Sequence, residues 1–517
     1  MNKKRILSIL ICIIMVAAIL ASCAPAASPT PAPGAGTGAG EARTGRTPID
    51  KIIIVTETEP DTLDPRRGNS VFNNLVMNNI YDSLIDIDQY HNPIPRLATS
   101  WEWVDDTNLR LNLRQGVVFS NGAPFTARDV FFSFERGLHD PTSLSTMIWF
   151  DPENTVIEDD YTIVIAMHNP HAPIWYVMSG GRTWIGNEDT INQMGEDSHA
   201  RAPIGTGPYV LEEWVSGSHV TLVRNDNYWG EPAATERLQI KFVSEPANRL
   251  IELETGAAHV NLFVAGADVT RVENIPGFRI VRGLSPRYYF VTMAMTHELL
   301  QDRRVRYALS YAVDKNALVH TAFDGAATVL NGVIPINTEH FVDFGEWVYD
   351  PDRARALMAE AGFADGFDIE LHILPGGEWP RLAQIFQAYW AEIGVRANIE
   401  VSPLGTREGQ GPWEIALRHG NVAEVSSILI VYEIAFGSRI AANDVYLDDL
   451  LQEIRRTLDP DRRRELLIYV QEYIWDMRWT IPFAQVDTIF GVHDGLSYMN
   501  FSPTPWRQNF REWVIYE

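Results

Sequence analysis

Both cysteines of this chain, Cys12 and Cys23, lie within its first 23 residues, and the rest of its 517 residues contain none. A body without cysteine can form neither a disulfide nor a cysteine-based metal site, so its fold must depend on burial of apolar side chains. Hydrophobic residues make up 46% of the chain. At this length they can supply the cores of two or three lobes.

The N-terminal segment has the form of an export signal. Basic residues at positions 3–5 precede an apolar run, Ile6–Leu20, that is too short to span a bilayer comfortably, and small residues precede Cys23. Leu20–Cys23 resembles a bacterial lipobox, which implies cleavage after Ser22 and a lipid on the Cys23 thiol. We therefore expect a signal peptide over 1–22 and a lipid anchor on the extracytoplasmic side of the cell membrane. The alternative is an ordinary secretory signal.

Residues 24–48 consist almost entirely of Ala, Pro, Gly, Ser and Thr, with little to bury. Such a composition predicts a flexible tether, so 23–48 is interpreted as the lipidated cysteine and its linker. The chain carries a formal net charge of −25, which opposes binding to phosphate backbones. We expect no nucleic-acid partner.

Beyond the tether, short alternating or apolar runs predict strands, and apolar residues at helical spacing predict helices. The mixture indicates an α/β protein. Predicted strands cover 51–55, 109–113, 162–167, 219–224, 239–243, 288–295, 367–374 and 397–401. Predicted helices cover 130–136, 302–314, 349–362, 380–394 and 459–477, the first opened by a capping box at Thr126 and Asp129.

No catalytic motif stands out. The chain lacks a Gly-x-Ser-x-Gly elbow, a glycine-rich phosphate loop and a His-Glu-x-x-His helix. His168 and His171 bracket Asn169-Pro170, a turn signal, and are not interpreted as metal ligands. We predict no enzyme activity, no metal and no cofactor, with an exported hydrolase as a remote alternative.

Motifs in a fixed order run along nearly the whole chain beyond the tether. They are DTLDP at 61–65, NIYDSL at 79–84, PRLATSWE at 95–102, LRQGV at 113–117, NGAPFTARDV at 121–130, GTGPYVLEEW at 205–214, RNDNYW at 224–229, RRVRYALSYAVDK at 303–315 and AEIGV at 391–395. This series resembles the extracellular solute-binding proteins of family 5, the dipeptide and oligopeptide receptors of ABC importers.

Most of these motifs have a structural interpretation. Gly205 and Gly207 would give the backbone freedom where a strand re-enters the sheet, and Tyr209 and Trp214 would pack in the core. The arginines at 303, 304 and 306 are interpreted as a solvated helix face.

The resemblance implies a periplasmic-binding-protein-like clamp of type II, in the large family 5 variant with an extra subdomain. Lobe I is expected at 49–290 and 487–517, with the extra subdomain at 82–203, and lobe II at 291–486. Closure of the lobes would bury a peptide-like ligand, and ABC permease subunits, coupled to a cytoplasmic ATPase, would read the closed form. A monomer is expected. A non-peptide solute, such as an oligosaccharide or a metal chelate, is the alternative on the same fold.

The resemblance also suggests where ligand would be held. Arg381 takes the position of the arginine that binds a ligand carboxylate in dipeptide receptors. Its planar guanidinium can bind a carboxylate through two parallel hydrogen bonds. The acid that holds the ligand amino group in the family is absent after the strand ending at Arg418, and Glu424 in the His419–Glu424 segment is the nearest substitute. The remaining predicted ligand-binding residues lie in segments that line the cleft in the family or beside Arg381: Asn69, Ser70, Trp149, Trp379 and His419.

Overall fold

The computed structural model describes residues 47–68, 70–88, 92–401, 414–421, 444–497 and 508–516, which belong to one compact unit, Thr47–Glu517. The predicted signal peptide, Cys23 and nearly all of the predicted tether lie outside these residues. Within the described part of the chain, no helix is both long enough and apolar enough to cross a membrane.

The described chain alternates strands and helices. The strands are β1 (Lys51–Thr56), β2 (Ile85–Ile87), β3 (Pro93–Pro95), β4 (Ala98–Asp105), β5 (Asn108–Leu113), β6 (Phe150–Asp159), β7 (Thr162–Met167), β8 (Tyr209–Val215), β9 (His219–Arg224), β10 (Arg237–Phe242), β11 (Val260–Asn261), β12 (Phe278–Met293), β13 (Ala327–Val329), β14 (Phe367–Ile373), β15 (Val395–Val401), β16 (Ile415–Asn421) and β17 (Thr480–His493).

The helices are mostly short. They are α1 (Val71–Met77), α2 (Ala127–Leu138), α3 (Leu144–Met147), α4 (Ile174–Met178), α5 (Glu188–Met194), α6 (Glu196–His199), α7 (Pro246–Glu254), α8 (Val269–Glu273), α9 (Glu298–Gln301), α10 (Arg303–Tyr311), α11 (Lys315–Phe323), α12 (Pro351–Glu360), α13 (Trp379–Ala391), α14 (Val445–Arg456) and α15 (Pro460–Met477). Asp459 caps α15 and Asp350 caps α12, each accepting a backbone N–H of the first turn.

One large sheet runs in the order β15-β14-β16-β12-β17-β11-β1-β10-β9-β8, with β13 paired to β17. At one end β1 lies parallel to both β10 and β11, and at the other end β14 lies parallel to both β15 and β16. Two groups of parallel strands are therefore joined through an antiparallel centre made of β12 and β17.

The strands β12 and β17 connect two apolar cores. Residues 278–284 of β12 pair with 487–493 of β17, and residues 288–292 pair with 480–485, with a register shift between Leu284 and Tyr288. The first core gathers buried residues of β1, β9, β10 and the C-terminal segment, and we call its part lobe I. The second gathers the later half of β12, β14, β15 and the packed helices, and we call its part lobe II. The two long strands thus join lobe I to lobe II, and the two lobes together form a clamp.

A separate sheet, β4-β5-β7-β6, packs against α2 around a third core that includes residues between Leu84 and Ile185. The capping box predicted at Thr126 is present, since Thr126 and Asp129 bond each other's backbone. The burial of residues on alternate positions of β5 explains why its pattern was readable from sequence.

Two motif interpretations need correction. Neither Gly205 nor Gly207 has a positive φ, so the chain needs glycine there for close approach: a Cβ would lie 2.2 Å from the Ile80 carbonyl oxygen at position 205 and 2.7 Å at 207. Arg306 is not on a solvated face, because its side chain is buried and donates to the carbonyls of Leu300, Gln301 and Met477.

Candidate functional site

The candidate site lies where the carboxyl ends of parallel strands in lobe II meet β12. Ligands of open α/β sheets bind at this edge, where neighbouring connections diverge. Leu371 and His372 of β14 pair with Ile415 and Ala416 of β16, so β16 continues past the end of β14. Across from that extension lies β12, where Tyr289 pairs with His419 and Arg287 with Asn421. These pairings place the end of β16 beside the register shift between Leu284 and Tyr288 of β12, which we call the bend in the crossing strands.

An aromatic cluster covers this edge. The ring of Trp379, at the start of α13, stacks on His419 with centroids 5.5 Å apart and planes 28° apart. Tyr289 contacts both rings, with its centroid 5.4 Å from Trp379 and 6.0 Å from His419. Phe323 and Phe483 pack against Tyr289 from lobe II. The cluster gives flat apolar surface beside the polar groups described next.

His419 is electrically neutral at ordinary pH. Burial, followed by the nearby positive charge of Arg287, lowers the pKa of His419 to about 3. Its Nδ1 atom is buried and has no hydrogen-bond partner among the described residues. A neutral imidazole with an unpaired ring nitrogen can donate or accept one hydrogen bond, depending on its tautomer.

Beside the rings lies an ion pair formed by Arg287 and Glu378. Nη2 of Arg287 donates to Oε1 of Glu378 at 3.3 Å, and the Tyr289 hydroxyl donates to the same oxygen. The guanidinium also lies over the Tyr289 ring, 5.1 Å from its centroid. Burial raises the pKa of Tyr289, which keeps the hydroxyl protonated as a donor.

The ion pair is reachable from solvent. The side chain of Arg287 is 38% exposed and that of Glu378 is 28% exposed. Within the described parts of the chain, no hydrogen bond reaches Oε2 of Glu378, while Nε of Arg287 is buried without a partner. The pair therefore retains both acceptor and donor capacity.

The structure brings together two of the residues predicted from the sequence, Trp379 and His419. Ser70 instead caps α1 by accepting the Asn73 N–H. Trp149 packs in the third core against Phe134, Phe150 and His171. Asn69 and Glu424 lie outside the described residues. The ligand-binding role of each of these residues stays a prediction.

Arg381 lies in the first turn of α13 and is about half exposed. Its Nη1 is 3.4 Å from Oδ2 of Asp324 and 3.4 Å from the carbonyl oxygen of Ala322, both long for charge-assisted bonds. The side chain also lines an open groove between α11 and α13. Its predicted pairing with a ligand carboxylate stays a prediction.

Sequence reasoning missed Arg287, Tyr289 and Glu378. Arg287 stands directly before the run of large side chains that begins with Tyr288 and Tyr289, and this position at the start of a predicted strand was the available signal. Glu378 precedes Trp379-Pro380 at a helix start, where an acid is ordinary and carries no functional signal. No group of three or more candidate metal ligands was found among the residues described.

The sequence matches the family model of the bacterial extracellular solute-binding proteins, family 5, over residues 92–427. The chain belongs to this family. It is 26% identical over 464 residues to the glutathione-binding protein GsiB of Salmonella paratyphi A, covering 86% of this chain and 90% of that protein. These similarities make it an extracytoplasmic solute-binding protein, and the family comprises binding proteins for ABC transporters.

Solved structures share the fold. The periplasmic binding protein DppA from Helicobacter pylori, in complex with the peptide STSA, matches with a TM-score of 0.78 and 21% identity, covering 90% of this chain and 98% of that one. NikA from Brucella suis, in complex with Fe(III)-EDTA, matches with a TM-score of 0.81 and 20% identity, covering 90% and 99%. Both confirm the two-lobed family 5 architecture.

Proposed function

We propose that this protein captures a peptide-like ligand by closure of its two lobes and delivers it to an ABC importer. The observation that carries the proposal is the Arg287–Glu378 pair on an aromatic cluster beside the bend in the crossing strands. Charged groups of both signs suit the ammonium, carboxylate and amide groups of a peptide, and lobe closure would strengthen these contacts by excluding water. The glutathione-binding relative and the peptide complex of DppA support this ligand class.

We further propose that the receptor is a lipid-anchored monomer. A flexible tether of about 25 residues would allow roughly 25 to 30 Å of reach above the membrane. Cys23→Ser should release a folded protein from membranes, because the composition of residues 24–48 gives the anchor no predicted part in the cores. Partitioning of this variant with lipid, or a mature N-terminus other than residue 23, would contradict the anchor.

The domain boundaries at 49–290 with 487–517, 82–203 and 291–486 are part of the proposal. The two crossing strands support the lobe boundaries, since a chain that passes between lobes along β12 and returns along β17 divides near 290 and 487. The separate sheet and third core support the subdomain at 82–203. Small-angle X-ray scattering of the ligand-free and ligand-bound protein should show a smaller radius of gyration when ligand closes the lobes. An equal radius in both states would contradict closure about the bend in the crossing strands.

The ligand class is tested by native mass spectrometry of copurified solutes, followed by calorimetry with a mixed α-peptide library, an oligosaccharide set and Ni or Fe chelates. We expect binding of peptides alone, and recovery of the ligand chemically unchanged after a long incubation. Binding only of sugars or chelates would overturn the peptide assignment. Appearance of hydrolysis products would overturn the proposal that the protein has no enzymatic activity.

A metal chelate is the second candidate ligand. The fold of this chain is shared with NikA in its Fe(III)-EDTA complex, and such an anionic chelate could meet the Arg287 guanidinium. Glu378, 3.3 Å from the same guanidinium, opposes an anion that carries no positive group. This repulsion makes the peptide-like ligand the better match.

A further inference from the structure

The Arg287–Glu378 pair presents two opposite charges whose closest described atoms, Nη2 and Oε1, are 3.3 Å apart. An isolated carboxylate that approached Arg287 would be repelled by Glu378. An isolated ammonium that approached Glu378 would be repelled by Arg287. A ligand that carries both charges on neighbouring atoms satisfies both residues at once. Complementarity of this kind gives specificity by rejecting the partners that carry only one of the two charges.

The pair can accept such a ligand without being broken. Tyr289 and Arg287 both bond Oε1 of Glu378, and no residue in the described part of the chain bonds Oε2, which can accept a ligand group. On the arginine, Nη2 is the nitrogen that donates to Glu378, and the guanidinium also lies over the Tyr289 ring. A guanidinium fork can hold a ligand carboxylate while retaining its protein partner.

Resting on the proposed peptide receptor function, we propose that Glu378 Oε2 binds the ammonium and Arg287 the carboxylate of an α-amino-acid head, in which both groups are attached to one carbon. Free amino acids and peptides that begin with a γ-linked glutamyl residue carry this head. The two ends of an ordinary extended dipeptide are separated by roughly 7 Å, too far to satisfy both residues in this way.

The surrounding rings suit this arrangement. The stacked Trp379 and His419 pack against Tyr289, whose hydroxyl bonds Glu378, and would limit access of water when the lobes close. His419 stays neutral because its pKa is lowered to about 3, so it adds no third charge to the balance. Its unpaired Nδ1 can hydrogen-bond one uncharged group of the ligand.

The test compares two isomers, γ-Glu-Cys-Gly and α-Glu-Cys-Gly, by calorimetry under reducing conditions. They contain the same atoms, but only the γ-linked isomer keeps the ammonium and carboxylate on one carbon. We expect the γ-linked isomer to bind at least roughly tenfold tighter, a difference of about 1.4 kcal/mol. L-Glutamine, the smaller probe with the same head, should compete with it.

Glu378→Gln and Arg287→Met should each abolish the preference for γ-Glu-Cys-Gly over α-Glu-Cys-Gly. The matched control is Asp368→Asn, which breaks the exposed ion pair of Asp368 with Arg396 at the opposite end of β14 and should leave the preference intact. Thermal unfolding verifies that each variant folds.

Equal or tighter binding of the α-linked isomer, or a preference that survives both site variants, overturns the inference. Failure of γ-Glu-Cys-Gly and L-glutamine to bind also overturns it. The α-peptide library keeps the two proposals separate: if library peptides bind while the isomers are not distinguished, the receptor function stands and the head assignment fails. If neither the library nor the isomers bind, the peptide function fails as well.

Discussion

Two clusters of arginine and acid in this protein use the same residue types for different purposes. In lobe I, Asp64 and Glu196 each contact both Arg66 and Arg136, and the Asp64 side chain is fully buried. Beside the crossing strands β12 and β17, Arg287 and Glu378 form one partly exposed pair. No residue in the described part of the chain bonds Oε2 of Glu378. Each charge of the first cluster meets at least two opposite charges, since Arg66 also contacts Asp140, whereas the second cluster retains capacity for a ligand.

The comparison shows what a family motif can and cannot indicate. Asp64 belongs to DTLDP, one of the motifs that carried the resemblance, and its charge stabilises the turn that follows β1 by accepting the Arg66 N–H at 3.0 Å. Glu378 belongs to none of the quoted motifs. The Asp64 motif thus marks the scaffold, while the proposed ligand contact at Glu378 lies outside the motifs that carried the resemblance.

The largest expected difference is in stability. Arg136→Met leaves the buried Asp64 with less compensation and should lower the free energy of unfolding by about 3 to 5 kcal/mol. Arg287→Met removes a partly exposed pair and should cost about 1 kcal/mol or less. Urea denaturation of both variants measures the difference. Equal losses would show that the two clusters contribute equally to the free energy of unfolding, and the proposed distinction between them would fail.

The next expected effect is on binding, through Arg381. If this side chain exchanges its long contact with Asp324 for a ligand carboxylate in the closed protein, Arg381→Ala should weaken binding by roughly 2 to 5 kcal/mol with little change in folding. Calorimetry with a ligand bearing a free C-terminal carboxylate measures this effect. Unchanged affinity would remove Arg381 from the site, and Arg456→Ala, in α14, serves as the control for loss of a lobe II positive charge.

The lobe I cluster should also make the protein sensitive to acid. His199 is buried near Asp64 and Arg136, and burial lowers its pKa to about 4. Between about pH 6.5 and pH 4 the unfolded state binds the proton and the folded state does not, so stability is lost as the pH falls. Near pH 5 this loss should be about 2 kcal/mol.

His199→Gln isolates that contribution, since a neutral amide can still accept the Ile204 N–H that the His199 ring accepts. The variant should lose less stability than the wild type between pH 7 and pH 5, measured by urea denaturation at each pH. An identical pH profile would mean that other groups, such as His171, dominate the acid response.

The parts of the fold encoded locally were predictable. Strand β7 appears at its predicted residues, and α15 begins directly after the predicted cap, Asp459, because alternation and capping depend only on neighbouring residues. The predicted strand at 288–295 captured only the later half of β12, and β17 was missed. Strand β17 is buried on both faces over most of its length, so its sequence carries no polar–apolar alternation to read.

The candidate site was predictable only in pieces. Trp379 and His419 were chosen separately, and their stacking depends on the parallel pairing of β14 with β16. Arg287 and Glu378 are 91 residues apart and meet through the same pairing, so neither residue identifies the other in the sequence. An ion pair between residues this far apart in the sequence can be recognised only when the structure is known.

The smallest expected effect probes the link between the ion pair and the rings. Tyr289→Phe removes the hydroxyl that holds Oε1 of Glu378 and leaves the aromatic packing in place. Because Glu378 is partly exposed, water can replace the lost donor, so the free energy of unfolding should fall by only about 1 kcal/mol. Binding of γ-Glu-Cys-Gly should weaken several-fold, since Glu378 would then be free to turn Oε2 away from the ligand.

Urea denaturation and calorimetry on the same preparation separate the two effects. A stability loss of about 3 kcal/mol or more would place this pair with the buried scaffold of Asp64, and the distinction between the two clusters would fail.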